Sequence, residues 1–330
     1  MRELVRTNNP VLVSAIGALL DGAGIPHIVL DQHMSVLEGS LGILPRRILV
    51  DDTQIGEARR ILEDAGLAHE LGPPAKGEAT TTDDAILGGR VRLRQQRGGH
   101  RVGHDAVLLA AATSARSGDH IVDVGAGVGA AGLALAVRAP DTKVTLVELD
   151  PALVDLAATN IERNGLSDRV RVVTLDIAAP SDAFAAAGLG PASADRVMMN
   201  PPFNDPAQTN SSPDPQRRAA HSAPASALSE WIAAASWLLH SAGTLTMIWR
   251  ADRLTEILQV LPPQFGGIAV LPIYGRAGLP AIRVLVRATK ESRAPLVICP
   301  GLTLNDSEGR PTTEAENVLR HAQPLPLGTD

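Results

Sequence analysis

The first 70 residues carry a short alternation of strand-like and helix-like hydrophobic patterns. Period-two apolar spacing predicts strands, and apolar residues three and four apart predict helices. The predicted elements are strand 4–6, helix 11–23, strand 27–31, strand 47–51 and helix 54–65. This β-α-β-β-α order predicts a small ferredoxin-like α+β domain over residues 1–70. The segment 71–84, which contains Gly, Pro and Lys residues at 72–77 and continues into a Thr/Asp run, is predicted to be a linker.

From residue 118 the pattern becomes a longer alternation of apolar strands and amphipathic helices. Strands are predicted at 121–124, 144–148, 170–175, 195–199 and 244–249, with helices between them and a last helix at 253–261. Two further strands, 267–271 and 281–288, flank a turn-rich segment and predict a terminal antiparallel hairpin. The alternation predicts an α/β domain with a parallel, doubly wound sheet over residues 85–290, followed by a C-terminal extension, residues 291–330.

Composition narrows the possible functions. The formal net charge of −6 argues against general coating of nucleic acid, although a local basic strip can still bind phosphate in an acidic protein. The single cysteine, Cys299, excludes an internal disulfide and a cysteine-based metal site, and no metal is expected. No apolar run approaches the length of a membrane span, and the N-terminal residues lack the apolar core of a signal peptide. We therefore expect a cytoplasmic protein without a membrane partner.

A glycine-rich turn follows the first strand of the larger domain. It contains Asp123, Gly125, Ala126, Gly127 and Gly129. Glycines let the backbone turn tightly and approach a ligand without a Cβ atom, so the turn is predicted to line a nucleotide-like cofactor. The same spacing also satisfies the dinucleotide pattern, so nicotinamide binding is the alternative.

Three further residues are predicted at the cofactor site because they follow neighbouring strands. Glu148 ends the second strand, where a carboxylate can accept both ribose hydroxyls. Asp176 and Ile177 follow the third strand. Ligands of open α/β sheets bind at the carboxyl ends of the strands, so we expect these side chains to meet at one edge.

The tetrapeptide Asn200, Pro201, Pro202 and Phe203 follows the fourth strand and indicates the chemistry. An exocyclic amine is a poor nucleophile, because its lone pair is delocalised into the attached ring or carbonyl. The carbonyls of Asn200 and Pro201 can each accept one N–H of the amine, and Phe203 can stack on the planar group that carries it. Two prolines hold these acceptors in place before substrate arrives. The tetrapeptide favours methylation of an amino nitrogen, and a nicotinamide enzyme does not explain it.

Residues 88–105 form a basic strip with five arginines and no acid before Asp105. Strand alternation places Arg90, Arg92 and Arg94 on one face, where they can bind phosphates or form a solvated edge. A polar segment, 204–225, is predicted to be a substrate loop, in which Arg217 and Arg218 can likewise bind phosphate or be solvated.

The motifs resemble those of known families. The sheet pattern and glycine turn resemble the S-adenosylmethionine (SAM) methyltransferases, a Rossmann-like fold with a seven-stranded sheet whose last strand is antiparallel. The segment 103–110 together with Asn200 to Phe203 resembles the bacterial tRNA adenine-N6 methyltransferases, within the small methyltransferase domain family. The resemblance implies SAM as cofactor and an RNA substrate, tRNA in particular. It assigns Asp176 to the adenine amino group and Ile177 to the adenine face of SAM, and Gly103 and Asp105 to its methionine end.

Three functions remain alternatives at this point. They are adenine-N6 methylation of tRNA, guanine-N2 methylation of ribosomal RNA, and glutamine-N5 methylation of a protein. The basic strip favours RNA. The leading domain resembles a small family of unknown function labelled as signal transducers, and no chemistry is assigned to it. The oligomeric state is left open.

Overall fold

The computed structural model describes residues 2–7, 9–30, 46–51, 53–67, 70–71, 81–97, 102–202, 224–261 and 263–327 of the 330-residue chain. The chain divides into two compact units. One comprises residues 1–82 with 96–101, and the other comprises residues 83–95 with 102–330.

The smaller unit is an antiparallel sheet with two helices. Its elements are β1 (Arg2–Thr7), α1 (Pro10–Gly22), β2 (His27–Leu30), β3 (Arg46–Val50) and α2 (Ile55–Asp64). The sheet order is β1-β3-β2, and an isolated antiparallel bridge joins Val5 to Leu71 on the β1 side. This bridge lies where the fourth strand of a ferredoxin-like sheet would pair. The ferredoxin-like prediction for the leading domain is confirmed.

Local sequence explains the first helix and its packing. The Asn9 side chain accepts hydrogen bonds from the backbone N–H groups of Val11 and Leu12, so it caps α1 and satisfies two donors that lack helical partners. The apolar face of α1 then packs into a core shared with the sheet and α2. Its fully buried members include Leu4, Ile16, Leu20, Ile48 and Leu62.

The chain from residue 81 onward alternates strands and helices. The strands are β4 (Thr81–Ile86), β5 (Val91–Gln96), β6 (His120–Val124), β7 (Lys143–Glu148), β8 (Val170–Thr174), β9 (Ala194–Met199), β10 (Leu239–Arg250), β11 (Phe265–Arg276), β12 (Ala281–Lys290), β13 (Val297–Ile298) and β14 (Leu302–Asn305). The helices are α3 (His104–Ala112), α4 (Ala130–Arg138), α5 (Pro151–Arg163), α6 (Ser181–Ala186), α7 (Pro224–Leu238), α8 (Leu254–Val260) and α9 (Thr313–Leu319).

Seven of these strands form the central sheet, in the order β8-β7-β6-β9-β10-β12-β11. The strands from β8 to β10 pair in parallel, whereas β12 is antiparallel to both β10 and β11. The short strands β13 and β14 add to β11 in parallel. The predicted Rossmann-like seven-stranded sheet with a terminal antiparallel hairpin is confirmed.

Alternate residues of the central strands face two different cores, which explains why these strands are almost wholly apolar. On β6, Ile121 packs with α3, α4 and α5, and the next residue, Val122, packs with α6, α7 and α8. Helices therefore cover both faces of the sheet. Only the strand ends are left to bind ligands.

Two boundaries differ from the sequence-based expectation. Strand β10 begins at Leu239, five residues earlier than predicted, because the chain bulges before Thr244 and Ala242 adopts a left-handed φ of 63°. The interval 71–84, predicted as a linker, includes the first four residues of β4, which pairs with β5. No helix in the described part of the chain is long and apolar enough to cross a membrane.

An ion pair lies at the N-terminal end of the central strand β9. His240 Nε2 lies 2.9 Å from Asp195 Oδ1. A hydrogen bond to the Ser241 carbonyl, followed by the bond to Asp195, raises the pKa of His240 above its ordinary value. Burial alone would raise the pKa of Asp195, but bonds from the His120 N–H and from His240 hold that pKa below its ordinary value. Each partner therefore stabilises the charged form of the other.

Candidate active site

The glycine turn follows β6 and is held by the neighbouring strand. The N–H groups of Gly125 and Ala126 both donate to the Val147 carbonyl, at 2.8 and 2.9 Å. Gly125, Gly127 and Gly129 have φ values of 69°, 57° and 88°, in the left-handed region that side chains disfavour. The turn conformation thus depends on glycine at all three positions.

The surroundings of the three glycines differ. A Cβ atom at Gly125 would overlap the ring of Trp231, and one at Gly129 would lie 2.8 Å from Leu146 Cδ1. At Gly127, by contrast, a Cβ atom would meet no described atom within 4 Å. Gly125 and Gly129 are needed for packing within the protein. Gly127 presents bare backbone to open space, where a ligand can approach.

Asp123 lies beneath the turn. Its side chain is buried, and its Oδ2 accepts the Gly132 N–H at 2.9 Å, which secures the first turn of α4. Burial raises the pKa of Asp123 to about 7, against the hydrogen bond from Gly132, and the nearby charge of Glu148 raises it further. Asp123 therefore fixes the glycine turn through its hydrogen bond to the start of α4.

Glu148 ends β7 and reaches the turn from the side. Its Oε2 accepts the Gly127 N–H at 2.8 Å, and its Oε1 accepts the N–H groups of Leu149 and Asp150 at 2.8 and 3.0 Å. Three backbone donors thus fix the orientation of a half-buried carboxylate. Each carboxylate oxygen has about two lone pairs, so Oε1 is fully used and Oε2 keeps one lone pair that can accept a ligand hydroxyl.

Asp176 and Ile177 follow β8 along the same edge. Asp176 is exposed, and its Oδ1 accepts the Ala178 N–H at 2.9 Å. Ile177 borders a largely apolar cavity of about 340 Å³ between the segment after β8 and helix α7. The other residues that line it are Ala178, Ala179, Ser181, Phe184, Glu230, Ala233, Ala234 and Trp237.

Asn200 follows β9, which is hydrogen-bonded to β6 on one side. Its Oδ1 atom is buried and has no hydrogen-bond partner among the described residues. Pro201 is buried and Pro202 is exposed. A buried carbonyl oxygen without a donor costs about 1–3 kcal/mol, so it is uncommon unless a ligand supplies the donor. Phe203, Arg217 and Arg218 lie outside the described residues.

Gly103 and Asp105 lie at the start of α3. Gly103 is the residue before the first helical turn, and Asp105 lies within that turn. Asp105 Oδ2 lies 3.0 Å from Arg283 Nε on β12, and both side chains are half-buried. Asp105 therefore ties α3 to the antiparallel strand of the sheet.

The arginine strip lies on and beside β5. Val91 and Leu93 are fully buried, whereas Arg92 is exposed. Arg94 is half-exposed and pairs with Asp83 at 3.5 Å, and Asp83 pairs more closely with Arg163, at 2.7 Å. Arg90 precedes the strand, is exposed, and donates to the His321 carbonyl at 3.3 Å. The alternation places the three guanidinium groups away from the core.

The sequence analysis did not identify three residues that hold this site in place. They are Trp231, which covers Gly125; Arg283, which pairs with Asp105; and Asn160, which holds β5 and the glycine turn. Two of the three carried a weak signal in the sequence. Asn160 is a polar residue next to Ile161 on the buried face of α5, and Arg283 begins an apolar run of β12.

The comparisons with known families agree with this geometry. The profile of the family described as "Methyltransferase small domain" matches residues 100–272, and that of the "Putative prokaryotic signal transducing protein" matches residues 1–66. Both family resemblances inferred from the sequence are confirmed.

Individual proteins give the same picture. A tRNA1(Val) (adenine(37)-N6)-methyltransferase of Porphyromonas gingivalis is 34% identical over 161 residues, 48% of this chain and 61% of that protein. A release factor glutamine methyltransferase of Chlorobaculum tepidum is 30% identical over 175 residues, 51% of this chain and 58% of that protein. The match thus spans less than two thirds of either relative.

A solved structure shares the fold. A crystal structure described as a "predicted O-methyltransferase" from Agrobacterium tumefaciens is 29% identical, with a TM-score of 0.59, and covers 68% of this chain and 100% of that chain. The small-domain profile extends over more than half of the sequence, residues 100–272, and the sheet order and glycine turn are those of a methyltransferase. The protein therefore belongs to the methyltransferase small domain family.

Proposed function

We propose that this protein transfers a methyl group from SAM to the N6 amine of an adenine in tRNA. The observation that carries the proposal is the buried, unpartnered Oδ1 of Asn200 at the end of β9. The family membership and the tRNA adenine-N6 methyltransferase among the relatives support it. The proposal places the protein in the cytoplasm, where it would meet tRNA.

The residues at the sheet edge fit SAM. Gly127 faces open space, Glu148 is held by three backbone N–H groups beside it, and Asn200 offers a free acceptor two strands from Glu148. When bound, SAM supplies an electrophilic methyl group. Glu148 would accept a ribose hydroxyl at its free Oε2 lone pair. The predicted contacts of Asp176 and Ile177 with adenine, and of Gly103 and Asp105 with the methionine end, complete the proposed pocket.

Asn200 would act on the nucleophile. Its Oδ1 accepts one N–H of the substrate amine, and the Pro201 carbonyl accepts the other, which turns the nitrogen lone pair toward the methyl group. Because the acceptor is buried, its interaction with an amine that gains positive charge is weakly screened. We propose that Phe203 stacks on the base. No side chain needs to act as a strong base or nucleophile for this step.

The substrate side is proposed to bind phosphate. Arg92 is exposed, and Arg90 and Arg94 retain exposed guanidinium surface, so the three can contact a nucleic-acid backbone. Arg217 and Arg218 are proposed to add contacts from segment 204–225. An adenine beside such a strip must leave its stack to reach the sheet edge, as bases in single-stranded loops readily do.

We also propose a division of labour along the chain. Residues 85–290 would bind SAM and perform the chemistry, and residues 1–70 would form an accessory domain joined by the segment 71–84. Residues 291–330 would extend the catalytic domain, because β13 and β14 pair with β11 of its sheet. None of the proposed pocket residues lies in the accessory domain.

Replacement of Asn200 tests the proposal. Asn200→Ala should lower kcat by about 100-fold or more, as for loss of a preorganised polar group, and leave the Kd of SAM within a few-fold of wild type. Asn305→Ala is the matched control, since the Asn305 amide already donates to the Gly275 carbonyl and neither residue belongs to the proposed pocket. The assay measures tritiated methyl transfer from SAM to total tRNA and, separately, to total protein.

Two results would contradict the proposal. Equal losses of SAM affinity and turnover in Asn200→Ala would place Asn200 in the cofactor site rather than against the amine. Methyl transfer to protein alone would favour glutamine methylation, the activity named for the Chlorobaculum relative.

A further inference from the structure

Two asparagines, Asn160 on helix α5 and Asn164 at its C-terminal cap, hold strand β5 as a neighbouring strand would. The Oδ1 of Asn164 accepts the Arg92 N–H at 2.9 Å, and its Nδ2 donates to the Arg92 carbonyl at 2.8 Å. Asn160, one turn earlier, makes the same pair of bonds to Arg94, at 2.6 and 3.1 Å. Side-chain amides thus replace a strand on this edge of β5 and fix the arginines that it carries.

The two asparagines differ in their remaining N–H group. The Nδ2 of Asn164 donates to the Asn160 carbonyl in the last turn of α5, at 2.7 Å. The Nδ2 of Asn160 donates instead to the Val128 carbonyl, at 3.0 Å. Val128 lies in the glycine turn, between Gly127 and Gly129. Asn160 therefore bonds to the arginine-bearing strand and to the glycine turn at once, and Asn164 bonds to the strand alone.

Burial makes the Asn160 connection sensitive to movement. Asn160 is 0% exposed, and one amide nitrogen donates to both the Arg94 and the Val128 carbonyls. If either carbonyl moves away, a buried donor or acceptor is left without a partner and without water. The arrangement is satisfied only when strand and turn occupy matching positions.

We infer that Asn160 is a positioning residue that couples SAM binding at the glycine turn to the ordering of β5 and its arginines. The inference rests on the proposed function, since it takes SAM as the ligand of the turn and RNA as the ligand of the strip. A ligand that fixes the turn also fixes the strand through Asn160, so the second ligand loses less conformational freedom on binding. By linkage the effect is reciprocal, and SAM and tRNA each bind more tightly in the presence of the other.

Amide hydrogen exchange of the wild-type protein tests the first half of this inference. The probe is S-adenosylhomocysteine, which lacks the transferable methyl group and allows no turnover. Saturating probe should slow exchange of the Arg94 backbone N–H, which donates to Asn160, by about 5-fold or more. This factor is the lower end of the usual range of coupling between two binding sites. Exchange of the Arg92 amide, which Asn164 accepts, should change less. Probe binding with no change at Arg94 would overturn the inference and leave the proposed function intact, whereas no probe binding would overturn both.

Two variants test the second half. In wild type, saturating S-adenosylhomocysteine should lower the Kd of tRNA by about 5-fold or more. Asn164→Ala should keep most of this ratio, although its tRNA affinity falls. Asn160→Ala should bring the ratio close to 1. Equal ratios in the two variants, or no coupling in wild type, would refute the role of Asn160. If circular dichroism shows that Asn160→Ala does not fold, the exchange measurement on wild type decides.

Discussion

Substitution of Gly127 by alanine separates ligand contact from folding. Because the φ of Gly127 is 57°, an alanine there costs roughly 1 kcal/mol of backbone strain. The new methyl group meets no described protein atom within 4 Å, so packing adds no further cost. For a domain of this size that strain lowers Tm by roughly 2–4 °C, and the variant should fold.

The effect on SAM binding should be larger. The Cβ would occupy the open space through which the turn faces the ligand, and crowding of this kind costs roughly 1–3 kcal/mol, equivalent to a Kd about 5- to 150-fold weaker. Gly165 provides a matched control. Its φ is 65° and a Cβ there also meets no described atom within 4 Å, but it lies at the far end of α5.

Isothermal titration calorimetry with SAM and thermal denaturation should be run on both variants. Gly127→Ala and Gly165→Ala should lose similar thermal stability, while only Gly127→Ala loses SAM affinity. Wild-type affinity in a folded Gly127→Ala protein would refute the assignment of this turn to the cofactor. Equal loss of affinity in both variants would attribute the effect to strain alone.

Three further predictions concern other parts of the protein. Combined replacement of Arg90, Arg92 and Arg94 by Gln should reduce the slope of log tRNA affinity against log salt concentration by about 2–3 units and leave SAM affinity unchanged. An unaltered slope would show that the strip is a solvated surface. His240→Ala should have a lower Tm than wild type mainly below about pH 6.5, the ordinary His pKa. The reason is that the pKa of His240 is raised in the folded protein, so the stability that its protonated form contributes is lost as pH rises through that folded pKa. At the acid end the same difference should shrink as pH falls through the folded pKa of Asp195, which lies below the ordinary Asp value; a pH-independent difference would contradict the ion pair. Removal of residues 1–80 should preserve SAM binding and the methylated position, and an inert but folded 81–330 fragment would show that the leading domain completes the site.

The hydrophobic pattern was sufficient to predict the sheet because its strands are buried on both faces. Ile121 and Val122 face different cores, so the central strands appear in the sequence as short apolar runs, and their alternation with helical segments identifies them as strands of a parallel sheet. The alternation of buried and exposed residues in β5 was also predictable from the sequence, since Val91 and Leu93 are buried and Arg92 is exposed. These features depend on residues close together in sequence.

The features that escaped prediction depend on distant residues. Asn160 meets Arg94 across 66 positions, and Asp105 meets Arg283 across 178, so no local pattern reports either contact. The early start of β10 has a different cause. A left-handed Ala242 continues the strand across a bulge, whereas the local sequence favours a helix end and a turn. Tertiary packing overrides the local preference there.

Nucleoside analysis of a defined substrate tests the central claim most directly. Unmodified tRNA would be incubated with the full-length protein and SAM, digested to nucleosides and analysed by mass spectrometry. The proposed function predicts N6-methyladenosine in the wild-type reaction and its loss with Asn200→Ala. Methyl groups found as N2-methylguanosine, or found on protein glutamine with none in the RNA, would contradict adenine-N6 methylation.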